Sequence, residues 1–356
     1  MKKLVTAAGL CAGVFLASAV TTAPLAQAAP ATGTELAGKT VFLDPGHQGT
    51  NHTENLSKQV SDGRGGTKDC QTTGMTALGG TPEHTITWNV AQLVKTSLES
   101  VGAKVVMSRA DDSGWGGCVD DRAKAANASG AQVAVSIHAD STSTGSDAQN
   151  HGFHVIVPTL PIPDATANEV QTGAGRTAST DMRDAYEKAG FTGANYADVK
   201  DGIQERSDIA GPTLTTVPDV FLEMGNGSNP DDAKILESTE GQVKHAIAIT
   251  TGIVDYLLTG TPAATPATAT PPTTTMPSAT PPSAPTAAPV PSTPAAAGAT
   301  TLPSGLAKQL SVLTPLLESF GLTGIDRLLT DKNVDAVLTI VSTLFGKLLA
   351  APSSGG

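Results

Sequence analysis

Two histidines follow apolar runs in this sequence, and their placement indicates a site for chemistry. His47 comes after residues 41–46, a run that stops at an acid, a proline and a glycine, and His138 follows the apolar residues 132–137. Both runs have the length and composition of buried strands. In open α/β sheets the carboxyl ends of the strands line the crevice that binds ligands, so both imidazoles are predicted to face it. Two histidines on rigid strand ends are what a zinc site requires.

A zinc site needs a third protein ligand, and Glu83 is the best candidate by position. It stands in the first turn of a predicted helix, where its carboxylate can project back over the sheet edge and the helix dipole favours its charge. An acid at a helix start is also a common cap, so both roles stay open for Glu83. His84 would point about 100° away from Glu83 around the helix. The histidines that compete with this set by residue type are His52, His84, His151 and His154, of which His154 lies inside a predicted strand and is more typical of packing.

Glu223 is the other acid that stands at the end of an apolar run. It follows Val220, Phe221 and Leu222 and precedes a stretch rich in glycine and asparagine. A carboxylate at a buried strand end has a perturbed pKa and can act as a general base or acid. The alternative is a strand-end acid that faces water.

The elements that must position these residues alternate along the chain. Strands are predicted at 41–44, 103–107, 132–137, 153–157 and 219–223, and helices at 81–98, 119–129, 165–189 and 231–258. Strands that alternate with helices form a sheet covered on both faces. The expected fold class is therefore α/β, with a twisted, mostly parallel sheet of about six strands, within a folded domain at residues 35–260.

Composition separates this domain from the two ends of the chain. Residues 1–28 have two lysines, an apolar core and small residues at the end, which predicts a signal peptide and export to the periplasm or cell wall. Residues 261–303 are almost wholly Pro, Thr, Ala and Ser and are predicted to form an extended linker. The formal net charge is −11, so nucleic acid is not an expected partner.

Residues 304–349 form a different kind of segment. Apolar residues recur at helical spacing in two runs, which predicts a tail module of two short amphipathic helices. Such a hairpin would dock on a protein partner, a membrane surface or a second copy of the chain. A weakly ordered extension is the alternative of equal weight.

Seven short motifs occur in an order that resembles the bacterial zinc-dependent N-acetylmuramoyl-L-alanine amidases. The resemblance covers residues 39–258. The motifs are Leu43-Asp44-Pro45-Gly46-His47, Glu83 with Asn89, Val106-Met107-Ser108-Arg109 with Asp111, Arg122 with Ala126-Asn127, Ser136-Ile137-His138-Ala139-Asp140, Gly152-Phe153, and Leu222-Glu223-Met224-Gly225-Asn226 with Ser228-Asn229.

The resemblance implies a role for each of the four candidate residues. His47, Glu83 and His138 stand where the family binds one Zn²⁺, and Glu223 stands where it has its catalytic acid/base. The implied reaction is hydrolysis of the amide bond between N-acetylmuramic acid and L-alanine in peptidoglycan. A zinc endopeptidase acting within the stem peptide and a non-catalytic wall-binding domain are the alternatives.

Two departures from the family pattern accompany the resemblance. The first motif leads into an unusually long polar loop, residues 50–80. Regulated family members carry a blocking helix after the Ser-Ile-His strand, whereas the segment between His138 and Gly152 is short and contains no such pattern. The chain therefore resembles the compact secreted members, and a monomer is expected.

Cys70 and Cys118 are the two cysteines that remain after removal of the signal peptide. Both lie in loops expected at the carboxyl edge of the sheet, and disulfides persist in exported proteins. A Cys70–Cys118 disulfide is therefore predicted. Two free thiols, or two soft zinc ligands, are the competing interpretations.

Overall fold

The computed structural model describes residues 33–145 and 147–259, together with scattered residues between 328 and 344. The predicted signal peptide and the predicted linker lie outside the described residues.

The described residues form eight strands: β1 Thr40–Pro45, β2 Gln59–Ser61, β3 Thr67–Asp69, β4 Lys104–Met107, β5 Val133–Asp140, β6 His154–Pro158, β7 Ile203–Arg206 and β8 Asp219–Asn226. Six of them form the sheet at the centre of the domain, in the order β4-β1-β5-β8-β6-β7. Neighbouring strands are parallel except for β6 and β8, which are antiparallel. A separate antiparallel hairpin, β2–β3, stands in the polar loop after the first motif.

Helices cover both faces of this sheet, which confirms the expected α/β class. They are α1 Glu83–Ser100, α2 Val119–Ala128, α3 Ala165–Thr172, α4 Ala174–Lys188, α5 Ala210–Leu214, α6 Pro230–Glu237 and α7 Thr239–Thr259. The main apolar core lies on the face that α1 and α4 contact, and α7 packs in turn on both helices. The opposite face has a much smaller apolar cluster, formed by Phe42, Ala126, Ala134 and Val217. Because this second cluster is thin, that face leaves room for a cavity.

Two predicted helices are each divided in the structure. The helix expected at 165–189 breaks at Gly173, whose ψ of −94° is not helical. The helix expected at 231–258 breaks at Ser238, which has extended backbone.

The hairpin, β7 and α5 were not predicted from the sequence. Both strands of the hairpin, β7 and α5 are each five residues or fewer in length. Such short segments carry too little periodicity to be recognised.

Cys70 and Cys118 form a disulfide in the structure, as the sequence predicts, with a Cα–Cα distance of 4.5 Å. The bridge ties the end of the β2–β3 hairpin to the start of α2, and the amide of Val119 also donates to the Cys70 carbonyl oxygen. Both sulfurs lie in a small buried cluster with Val60. The long polar loop is therefore anchored to the domain beside the first motif.

Described residues of the C-terminal segment pack within the domain itself. Asn333 Nδ2 donates to Asp255 Oδ1 of α7 over 2.5 Å. The buried tail residues that belong to the main apolar core are Leu328, Ala336, Val337, Ile340, Val341 and Leu344. Three of them, Val337, Val341 and Leu344, belong to the second apolar run predicted from the sequence, and they contact the chain's own core. Among the described residues, no helix has both the length and the apolar character that a membrane span needs.

The disulfide predicts the outcome of thiol labelling on a protein that lacks residues 1–28. Without reductant the unfolded chain should expose no reactive thiol, and after reduction it should expose two. Reduction should lower the free energy of unfolding by about 4 kcal/mol, because the bridge closes a loop between residues 48 apart. The Cys70→Ser/Cys118→Ser double variant is the control, since reductant should leave its stability unchanged. Two reactive thiols per chain before reduction would contradict the bridge.

Candidate metal centre

The first motif turns sharply at the end of β1 to present His47. Gly46 passes so close to His138 that an added Cβ would lie 2.4 Å from the Cε1 atom of that ring. His47 itself has a left-handed φ of 61°, which is uncommon for a residue other than glycine and costs energy. The tight approach lets two imidazoles from neighbouring strands share one small space.

Glu83 lies between the two imidazoles. Its Oε2 is 3.0 Å from His47 Nε2, and its Oε1 is 3.0 Å from His138 Nδ1. The two rings meet edge to face with centroids 4.9 Å apart, and Glu83 is only 3% exposed. One ligand atom from each of the three residues lies within 4.8 Å of the others. The structure thus brings together the set predicted from the sequence.

Backbone groups around Glu83 and His47 orient both side chains. Glu83 accepts hydrogen bonds from the amides of Met75 and Ala139. His47 Nδ1 lies 3.0 Å from the carbonyl oxygen of Thr72, and a carbonyl can only accept, so Nδ1 donates to Thr72 and Nε2 is the ring nitrogen directed at Glu83. This arrangement is typical of metal-binding histidines.

The electrostatics of Glu83 and His138 suit a cation. Burial alone would raise the pKa of the Glu83 carboxyl, but His47 and His138 hold that pKa well below its usual range. Burial lowers the pKa of His138, although Glu83 opposes this, so the ring is held neutral. Two imidazoles and one ionised carboxylate are a donor set that zinc accepts with one position left open. The residues present therefore fit the metal.

Arg122 fixes the backbone that carries His47. The guanidinium is 5% exposed and donates to Asp44 Oδ1 over 2.7 Å, to the Pro45 carbonyl over 2.9 Å and to the His47 carbonyl. Asp44 in turn accepts from the Ser136 hydroxyl on β5. A buried cation therefore joins α2 to the two strands that present the histidines.

Glu223 of β8 stands beside this set without belonging to it. It pairs in register with His138 of β5, and the His138 ring stacks on Phe221 with centroids 4.5 Å apart. Burial raises the pKa of the Glu223 carboxyl well above its ordinary value, and the nearby Glu83 and Asp140 raise it further. A carboxyl of raised pKa next to a metal site can accept and release protons near neutral pH.

All four residues line one cavity of about 380 Å³. The cavity extends from the sheet edge toward the thin face between the sheet and α2 and α5, where Asp219 lies. Burial, followed by the charge of Asp44, raises the pKa of Asp219 to about 8. The site is thus a recess with acidic walls.

The remaining histidines and cysteines do not join the set. His84 pairs with Asp112, and His52 lies beside Glu54 and Trp115. Cys118 also lies near Asp120 and Asp121, but its sulfur is bonded to Cys70.

The sequence did not indicate the role of the Thr72 carbonyl, because a backbone acceptor has no residue signature. It also gave no sign of Tyr196 or of the placement of His154 next to Glu223.

Comparison with known proteins agrees with this geometry. A family model described as N-acetylmuramoyl-L-alanine amidase matches residues 41–255. The N-acetylmuramoyl-L-alanine amidase Rv3717 of Mycobacterium tuberculosis is 39% identical over 247 residues, which are 69% of this chain and 97% of that protein.

Two solved structures are also similar. The amidase Ami1 from Mycobacterium abscessus, in its apo form, has 42% identity and a TM-score of 0.57, over 62% of this chain and 99% of that chain. Ami1 from Mycobacterium smegmatis has 40% identity and a TM-score of 0.58, over 62% of this chain and 98% of that chain. The family model covers more than half of the sequence, and the chain belongs to the N-acetylmuramoyl-L-alanine amidase family.

Proposed function

We propose that this protein is a zinc-dependent amidase that hydrolyses the bond between N-acetylmuramic acid and L-alanine in peptidoglycan. The observation that carries the proposal is the convergence of His47, Glu83 and His138 at the sheet edge, with Glu223 in register beside them. Membership of the amidase family supports the reaction class.

His47, Glu83 and His138 would hold the ion in this proposal. When bound, Zn²⁺ supplies a Lewis acid that lowers the pKa of coordinated water to about 7 and stabilises developing negative charge on the carbonyl oxygen. Glu223 takes the proton of the attacking water on its carboxylate. It then gives that proton to the departing amine nitrogen of L-alanine. The raised pKa of the Glu223 carboxyl suits both halves of this exchange.

The setting we propose is outside the cytoplasm, at the cell wall or in the periplasm. The signal-peptide pattern at residues 1–28 and the Cys70–Cys118 disulfide both favour an oxidising compartment. Between Asp140 and His154 the described residues contain no helix that would block the site. We further propose that the enzyme works as a monomer in wall turnover, remodelling or cell separation.

Digestion of purified peptidoglycan tests the reaction itself. Mass spectrometry should find stem peptides with a free L-alanine amine and muramic acid with a free lactyl carboxylate. A zinc endopeptidase would instead leave L-alanine attached to muramic acid, and a wall-binding domain would release nothing. Either of those results would contradict the proposal.

Replacement of Glu83 tests the ligand set. The Glu83→Ala variant should lose zinc and activity together, because two imidazoles alone bind the ion too weakly. The matched control is Glu240→Ala, which removes the exposed first-turn acid of α7 and should leave metal content unchanged. Metal analysis that finds full zinc occupancy in Glu83→Ala would show that Glu83 is only a helix cap.

Replacement of Glu223 separates the acid/base from the ligands. The Glu223→Gln variant should keep zinc and fold but lose turnover by a factor on the order of 10² to 10⁴, because an amide cannot exchange the proton. Glu205→Gln on β7 is a suitable control, since that side chain is exposed. Near-normal kcat in Glu223→Gln would remove Glu223 from the mechanism.

A further inference from the structure

Several buried polar atoms around Glu223 lack a hydrogen bond of ordinary geometry. Within the part of the chain that the structure describes, the unpaired buried atoms include Glu223 Oε2, Tyr196 Oη, His154 Nδ1 and Gln204 Oε1. Buried polar atoms are almost always paired, so each exception needs an explanation. A group of such atoms beside a proposed acid/base points to a function.

The strand registers place three of these residues on one face of the sheet, and the fourth contacts one of the three. His154 of β6 pairs in antiparallel register with Glu223 of β8, so both side chains leave the same face of the sheet. Gln204 of β7 pairs with Ile156, two residues along β6, and shares that face. The Tyr196 ring meets His154 edge to face, with centroids 5.8 Å apart.

The unpaired atoms are complementary in chemistry. Burial raises the pKa of the Tyr196 hydroxyl, and the charges of Asp140 and Glu223 raise it further, so the hydroxyl stays protonated and can donate. Burial also lowers the pKa of His154 to about 4, which leaves a neutral ring with one donor nitrogen and one acceptor. Glu223 Oε2 and Gln204 Oε1 are acceptors. The Tyr196 hydroxyl is therefore a donor that stands beside two acceptors, and His154 Nδ1 can take either role.

The backbone after Tyr196 is held in a specific and costly conformation. Ala197 and Asp198 both have a left-handed φ of 56°, which residues with side chains adopt rarely. Gln204 Nε2 donates to the Ala197 carbonyl over 2.8 Å, and the Ala194 amide donates to the Phe153 carbonyl over 2.7 Å. These bonds tie the loop to β6 and β7 and deliver the phenol over His154.

We propose that Tyr196 is a positioning residue for Glu223: its hydroxyl donates to Oε2 and leaves the other carboxylate oxygen for proton transfer. The His154 ring packs edge to face against the Tyr196 ring. Gln204 in turn orients the His154 ring. The inference rests on the proposed function, because it assigns Tyr196 a role only through the acid/base. Asp140 is the competing acceptor, because its charge raises the pKa of the Tyr196 hydroxyl and its carboxylate lies close enough to accept a hydrogen bond from that hydroxyl.

A double-mutant cycle tests this assignment. The Tyr196→Phe variant removes only the hydroxyl and should lower kcat by about 10- to 100-fold, the range for losing a hydrogen bond to a charged group. KM, zinc content and the thermal midpoint should stay close to those of the unchanged protein. In the Glu223→Gln background the same change should alter kcat by less than about twofold, because the carboxylate that Tyr196 serves is already gone.

The chain provides a matched control and a clear contradiction. It has three tyrosines, and Tyr186 bonds to His245 over 3.2 Å in the core on the other side of the sheet, so Tyr186→Phe should leave kcat unchanged. An equal loss from Tyr196→Phe in both backgrounds, or no loss in either, would overturn the positioning role. Failure of the proposed function has a different signature, because Glu223→Gln alone would then keep its activity.

Discussion

A carboxylate buried between two imidazoles is the constraint on which the arrangement of this protein depends. Glu83 is almost without solvent, and an isolated buried charge is very costly unless it is paired and hydrogen-bonded. Its compensation comes from three separate parts of the chain: the His47 turn, the strand that carries His138 and the Ala139 amide, and the loop that carries the Met75 amide. The ends of β1 and β5 and the start of α1 must therefore meet at one point. The side chains of His47, Glu83 and His138, which contact one another here, are also suited to bind a cation together.

The residues that follow from this constraint were largely predictable from the sequence. His47 and His138 were recognisable because each directly follows an apolar run that is long enough to read as a strand. Glu83 was recognisable because Pro82 marks a helix start. The alternation of strands and helices gave the α/β class and the predicted six-strand sheet. In each case the signal is local, and the topology of a mostly parallel sheet then converts local strand ends into a common edge.

What the sequence did not reveal depends on contacts between distant segments. The Thr72 carbonyl that orients His47 belongs to a loop whose path is set by the Cys70–Cys118 bridge. Tyr196 lies in an irregular loop, and its relation to Glu223 depends on the antiparallel pairing of β6 with β8, which the motifs do not specify. His154 was interpreted as packing for the same reason. For the tail, the sequence left a docking hairpin and a weakly ordered extension equally open. Its described apolar residues lie in the domain's own core, and amphipathic periodicity alone does not identify the surface that covers an apolar face.

Anomalous diffraction at the zinc edge, from crystals of the purified protein, tests the central claim most directly. The account predicts one strong peak within bonding distance of His47 Nε2, a Glu83 carboxylate oxygen and a His138 ring nitrogen, with Glu223 outside bonding distance. A peak that is bound by Glu223 in place of Glu83, or a zinc peak only at another site, would contradict it.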